Sequence, residues 1–340
     1  MERAEQTGAA GPSASAGTSG SAELAGAAGA AGAGGTPSLP RRLLLATDLS
    51  SRCDRALDRA VELARRWDAE LTAVHALEQA PAFAAAQERR KRFWHTRQDR
   101  SLAMARQLRA DILDDGVEAV VVVEEGDPGD VVVRAAEARD VSLIIAGHAR
   151  AEPFGRLLLG ATVERLARHA TAPVLVVRNR VRGPYKRVVV ASDFSPASAQ
   201  ALATAAALFG DAQLALLHAY EAPFSGLAST PGSEGAWARM AREEAEAFVA
   251  GVALPEAIRP ALNLLVEAGR PEGVLCDYVV QQDVDLVVVG RRGRSAVADL
   301  LLGSTAHTLL DILPCDVMVV TGSAAAVTAR SGERGRVDLT

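Results

Sequence analysis

The sequence predicts an α/β protein built from two tandem domains, each a parallel sheet covered by helices on both faces. An internal repeat is the first observation behind this. Arg41-Arg42-Leu43-Leu44-Leu45-Ala46-Thr47-Asp48 matches Lys186-Arg187-Val188-Val189-Val190-Ala191-Ser192-Asp193 position for position, at an offset of 145 residues. Later landmarks recur at an offset of 143: His75 and His218, Trp94 and Trp237, Gly126 and Gly269, Pro128 and Pro271, Gly147 and Gly290, Gly160 and Gly303, on to Val177 and Val320. One small length change near the first helix accounts for the difference. A repeat of this length is a whole domain rather than a solenoid unit. The second observation is that strand-like and helix-like segments alternate within each repeat, the pattern of βαβ units. The third is that the strand-like runs are continuously apolar, as strands buried on both faces are.

In the second repeat these patterns predict strands near 187–191, 213–219, 262–267, 285–290 and 316–320, and helices near 196–209, 234–251, 271–282 and 304–312. Pro128 and Pro271 stand where a helix begins, a position that tolerates a missing N–H. Val181–Pro184 reads as a tight linker between domains 40–180 and 184–321. Residues 1–39 are rich in Ala, Gly and Ser and cannot bury enough apolar surface to offset the entropy of ordering, so a disordered tail is expected there. Residues 322–340 read the same way. The charge run Glu88 to Arg92 is most simply a solvated helix face.

Composition narrows the function classes. The 340 residues are 49% hydrophobic and 23% charged, the balance of a soluble globular chain long enough for two real cores. Aromatic residues are only 4%, so those cores are aliphatic. A net charge of −5 gives no broad pull toward nucleic acid or an anionic membrane. No run of about 18 apolar residues is present to span a bilayer. Cys53, Cys276 and Cys315 are odd in number and form no C-x-x-C pair, which suits reduced thiols in a cytoplasmic protein rather than a disulfide frame or a zinc site.

The chemistry concentrates at Val287-Val288-Val289-Gly290-Arg291-Arg292-Gly293, followed after Ser295 and Leu300-Leu301-Leu302 by Gly303-Ser304-Thr305. A β-branched run ends in a glycine, a basic loop follows, and a further glycine opens a helix. Two residues separate Gly290 from Gly293, and nine separate Gly293 from Gly303. Glycines let a backbone approach an anion or adopt positive φ, and the first N–H groups of a helix attract negative charge. Ser304 adds a hydroxyl. An ordinary strand-to-helix connection would also use glycine turns. Walker A needs Gly-Lys-Ser/Thr and is absent, as is G-x-G-x-x-G after a first strand, where Asp-Phe-Ser-Pro stands instead.

G-x2-G-x9-G-[ST] at the end of a fourth strand resembles the ATP-binding signature of the universal stress protein family, and Gly290 to Ser304 fits it without a gap. The resemblance covers roughly 40–178 and 185–321. It implies two Rossmann-like, doubly wound domains of strand order 3-2-1-4-5, with the ligand at the switch point between strands one and four, outside their carboxyl ends. Asp193 ends strand one and Gly290 ends strand four, so the two motifs converge on one crevice. The resemblance further implies that ATP, with or without Mg2+, lies there. Gly290, Gly293, Gly303 and Ser304 would hold phosphates, Asp193, Ala219 and Val289 would frame the nucleoside, and Ser192, Arg292 and Thr305 would belong to the same cofactor-binding set. Final strands 174–177 and 317–320 would pair within the chain, with a homodimer left open and the protein partner unknown.

Each assignment has a plainer alternative. Asp193 could cap the following helix, although Ser195 is the better cap. His75 and His218 read as satisfied histidines near a strand end. Arg291, Arg292 and Arg294 suit phosphate but equally suit a solvated loop. His307 reads as a core or surface histidine. The first repeat carries Gly147-His148-Ala149-Arg150, then Gly160-Ala161-Thr162, so Arg150 replaces the second glycine and Ala161 the serine. A relic kept for pairing, or an altered anion site, would follow. With no general base or nucleophile visible, ATP-dependent binding in stress response or signalling fits better than catalysis. A slow ATPase or autophosphorylating enzyme using Ser304 or His307 stays open, as does a structural module that binds no nucleotide.

Overall fold

The computed structural model describes residues 39–50, 53–77, 97–114, 116–148, 160–221, 233–293 and 302–321. Trp94, the 88–92 charge run, Arg150, Arg294, Ser295 and both expected tails (save Leu39) lie outside those residues. The first half runs β1 (Arg42–Ala46), α1 (Asp54–Trp67), β2 (Glu70–Leu77), α2 (Arg97–Asp114), β3 (Ala119–Glu125), α3 (Pro128–Ala138), β4 (Leu143–Gly147), α4 (Ala161–His169) and β5 (Val174–Val177). The second repeats it as β6 (Arg187–Ala191), α5 (Pro196–Leu208), β7 (Gln213–Tyr220), α6 (Ser233–Gly251), β8 (Asn263–Ala268), α7 (Pro271–Gln281), β9 (Leu286–Gly290), α8 (Ser304–Ile312) and β10 (Asp316–Val320). A 3-10 turn, Arg259–Ala261, precedes β8. Every expected strand and helix of the second half is present, within a residue or so at each end.

Pro128 and Pro271 open helices as anticipated, and Pro196 does the same, at a position where the missing N–H costs nothing. Ser195 caps α5 by accepting from the Ser198 N–H at 3.2 Å.

The ten strands form one sheet in the order β3-β2-β1-β4-β5-β10-β9-β6-β7-β8. Each half is therefore a parallel sheet of order 3-2-1-4-5, and the halves meet at β5 and β10, which run antiparallel with Leu175 opposite Met318. These two strands are buried along their whole length. Left unpaired they would be apolar edges open to any other strand. Side chains alternate across the sheet. Leu43 and Leu45 of β1 join a core with α1, α2, α5 and α6, whereas Leu44 and Ala46 join another with α3, α4, α7 and α8. Both cores run unbroken through the seam, and the described residues all fall within one compact unit, Gly35–Thr340.

The seam carries a buried polar cluster. Asp316, 0% exposed at the start of β10, accepts from the Arg178 N–H (2.8 Å), the Asn179 N–H (3.0 Å) and the Tyr185 hydroxyl (2.6 Å). Arg59 of α1 lies 3.9 Å over the Tyr185 ring, donates to Glu62 (2.9 Å) and the Gly183 carbonyl (3.0 Å), and approaches Asp316 to 4.0 Å. Gly183, in the linker, has φ +112°, which its lack of a Cβ permits. Burial pushes the Asp316 carboxyl above its ordinary range, against the pull of its donors and of Arg59. Burial, reinforced by the Asp316 charge, likewise raises the Tyr185 hydroxyl.

Candidate functional site

The site forms where β6 and β9, neighbours in the sheet, end side by side. Ala191 pairs with Val289, so Ser192-Asp193 and Gly290-Arg291 leave the sheet together. Val289 is buried, and its side chain belongs to the core beneath the crevice. Gly290 is glycine because α5 comes too close for anything else: a Cβ there would lie 2.8 Å from the Ala197 carbonyl carbon and 2.9 Å from its oxygen. At Gly293 a Cβ would lie 2.7 Å from Asp193 Oδ2. The second loop glycine and the strand-one acid therefore face one another across the crevice. Gly303 closes the loop. Its N–H donates to the Arg291 carbonyl at 2.9 Å, and a Cβ on it would be 3.7 Å from the Gly293 nitrogen.

Positive φ has no part in this. Gly290, Gly293 and Gly303 are absent from the left-handed region, and Gly303 has φ −58°. The physical reason for glycine here is close approach, not backbone handedness. Gly303 is the N-cap of α8 and no side chain caps it, so the first-turn N–H groups, with the exposed Ser304 and Thr305, point outward at the helix's positive end.

Asp193 does not cap α5, since Ser195 does. Its Oδ1 accepts from the Ser198 hydroxyl (2.6 Å) and the Ser195 N–H (3.1 Å), which fixes the carboxylate and turns Oδ2 toward Gly293. The turn is strained, with Phe194 at φ +61°. Contacts from β6 and β7 help to hold it. Ser192 Oγ accepts from the Phe194 N–H at 3.1 Å, His218 Nδ1–H donates to the Ser192 carbonyl at 2.8 Å, and the Phe194 and His218 rings stack at 4.0 Å. His218 is thus a satisfied histidine, as read from the sequence, and it ties β7 to the β6 turn. Ala219 follows it on β7, opposite Glu267.

The first half keeps this turn. Leu49 has φ +59°, His75 Nδ1–H donates to the Thr47 carbonyl (2.9 Å), and Asp48 Oδ1 accepts from the Ser50 N–H (2.8 Å). Cys53 stands where Ser198 does, and burial, the largest influence on it, pushes its thiol up to about 11. His148, buried, stands where Arg291 does, and Gly160 caps α4 without a side chain's help.

The arginines divide. Arg291 turns away from the crevice, and its guanidinium donates to the Arg168 (3.1 Å) and Ala170 (3.2 Å) carbonyls at the end of α4 in the other half. Its side chain is therefore engaged at the seam between the halves. Arg292 stays beside Gly293, half-buried. His307 lies 3.4 Å from Asp311, one turn along α8. Among the described residues no group of three His, Cys, Asp or Glu could hold a metal ion. Among them, too, no helix is long and apolar enough to cross a membrane.

A profile of the Universal stress protein family matches residues 40–178 and again 184–321. The chain belongs to the universal stress protein family. A universal stress protein of Thermus aquaticus is 31% identical over 138 residues, covering 40% of this chain and 98% of that protein, so the relative is one domain long. Another, from Bacillus subtilis, is 25% identical over 145 residues. Solved structures span both halves. A universal stress protein from Archaeoglobus fulgidus superposes with a TM-score of 0.60 at 21% identity, covering 82% of this chain and 98% of its own. A protein of unknown function from Pseudomonas aeruginosa PAO1 gives 0.59 at 20%, covering 83% and 92%. At such identities the structures establish the tandem universal stress protein fold and nothing finer.

The sequence reading missed Ser198, Phe194 and the true direction of Arg291. Ser198 had a signal, standing three residues after Ser195 on the helix face that meets the turn. Nothing in the sequence marks a phenylalanine for positive φ.

Proposed function

We propose that the second domain binds ATP, with or without Mg2+, at the crevice between β6 and β9, and that the protein acts by nucleotide-dependent binding in stress response or signalling. The observation that carries this is the facing pair Gly293 and Asp193, with room at 293 for no side chain unless the carboxylate moves. A phosphate-binding loop and a nucleoside-binding acid belong on one crevice, and a plain strand-to-helix connection has no need of the second glycine. In this reading Gly290, Arg292, Gly293 and Gly303 supply backbone to the phosphates, and Ser304 and Thr305 supply hydroxyls and first-turn N–H groups. Ser192, Asp193 and Ala219 frame the nucleoside above Val289. The domain boundaries 40–180 and 184–321 belong to the same reading, with the first domain as the degenerate copy.

Titration calorimetry of the full chain with ATP tests it. One ATP per chain is expected for the wild type, and none for Gly293→Arg, with the fold intact by circular dichroism because 293 lies outside both cores. Two equivalent sites, or undiminished binding by Gly293→Arg, would overturn the assignment.

A further inference from the structure

The loop that carries the intact motif is fastened to the other half of the molecule. Arg291 is its centre. The Arg291 N–H donates to the Val320 carbonyl (2.9 Å), its carbonyl accepts from Gly303 (2.9 Å), and its guanidinium reaches Arg168 O and Ala170 O at the end of α4. Next to it, the Thr321 hydroxyl donates to the Thr171 carbonyl at 3.1 Å. Three carbonyls of the first half, 168, 170 and 171, are therefore met by two side chains that flank the nucleotide loop of the second. A helix C-terminus gathers partial negative charge and unpaired carbonyls, and the Nη1 amino group of Arg291, with two N–H bonds, meets two of them at once.

The mirror-image corner is built differently. There the end of α8 is capped by Arg178, whose guanidinium donates to the Leu310 carbonyl from the segment after β5, and the motif position carries His148. Among the described residues the arginine that reaches across from within the motif loop belongs to the half whose glycines are intact.

We propose that Arg291 is a positioning residue for the nucleotide loop and that the first domain, through the C-terminal carbonyls of α4, sets the geometry of the second domain's phosphate site. This rests on the nucleotide reading above and gives the degenerate half a task at the working site. With its side chain anchored at 168 and 170, residue 291 ties the start of the loop to β10 on one side and to the N-cap of α8 on the other. Without the anchor, Gly290, Gly293 and Gly303 keep their local bonds, but the loop loses the fixed point that aligns them. The consequence falls on phosphate and spares the nucleoside, which is framed from β6 and β7.

The test uses the full chain and the variants Arg291→Ala, Arg291→Lys and Thr321→Val, with ATP and adenosine as separate probes in calorimetry. Amide exchange across 286–306 is followed without nucleotide. The expectation for Arg291→Ala is ATP affinity lower by roughly fivefold or more, the scale of coupling between sites, with adenosine affinity unchanged and faster exchange at Arg291 and Gly303. Arg291→Lys should recover part of both effects, and Thr321→Val should move both in the same direction by less. Wild-type ATP affinity together with wild-type exchange in Arg291→Ala overturns the inference, as does an equal loss of ATP and adenosine. If the wild type itself binds no ATP, the nucleotide reading falls, and amide exchange alone decides whether the first domain holds the loop.

Discussion

Replacing Asp316 with alanine should be among the most damaging single changes in this chain. The carboxylate is fully buried and receives the Arg178 and Asn179 N–H groups and the Tyr185 hydroxyl, with Arg59 at 4.0 Å. Truncation leaves three donors unmet, two of them on buried residues, each buried one costing about 1–3 kcal/mol. Their sum overstates the loss, because Arg59 keeps Glu62, the Gly183 carbonyl and the Tyr185 ring. Breaking a buried charged cluster by removing one member costs about 3–5 kcal/mol. At about 2 °C per kcal/mol for a chain of this size, the melting temperature should fall by roughly 6–10 °C in a circular dichroism melt. A fall under about 2 °C would refute the reasoning, by showing that water reaches the donors or that the seam contributes little.

The same residue fixes a pH dependence. Burial raises the folded-state pKa of Asp316 above 3.8, so the folded chain holds a proton there more tightly than the unfolded chain does. The associated stability is complete below 3.8 and is lost as pH rises through the folded value. Asp316→Asn cannot titrate, so the stability of the wild type relative to that variant should decline as pH rises above 3.8, and a flat or rising difference would mean that the ionised form is the favoured one. Gly290→Ala drives a Cβ to 2.8 Å from the Ala197 backbone, which cannot yield cheaply, and denaturant titration should show a loss of about 1–3 kcal/mol. Ser304→Ala, exposed at the start of α8, should leave stability alone and weaken ATP by about 1.5–3 kcal/mol if the hydroxyl meets a charged oxygen, an effect calorimetry reads directly. Burial holds the Cys53 thiol at about 11 and Cys315 at about 12, so at pH 8 both should resist iodoacetamide in the native protein, with Cys53 gaining about tenfold in rate per pH unit. Rapid native labelling of Cys315 would contradict its 1% exposure.

Strand and helix positions of both halves were legible because periodicity is local. Continuous β-branched runs such as 187–191 and 286–290 say that both faces are covered, and prolines at 128, 196 and 271 mark where helices open. The duplication was legible as a register of matched residues, and with the family resemblance it placed Asp193 and Gly290 at one crevice. What the sequence alone could not decide is direction. That Gly290 answers to the Ala197 backbone and Gly293 to the Asp193 carboxylate follows from how α5 docks on the sheet, a non-local distance that no spacing encodes. Arg291 and Arg292 are neighbours of one type in one loop, yet the first reaches α4 more than a hundred positions away in the chain while the second, half-buried, keeps its Cα 3.8 Å from where a Cβ on Gly303 would lie. Asp316 looks like an ordinary polar start to a strand until β5 and β10 pair and bury it against Arg59 and Tyr185. Pairing patterns are written residue by residue along a chain. The side a charged group turns to is set only when two distant segments compete for it, and that competition exists only in the folded molecule.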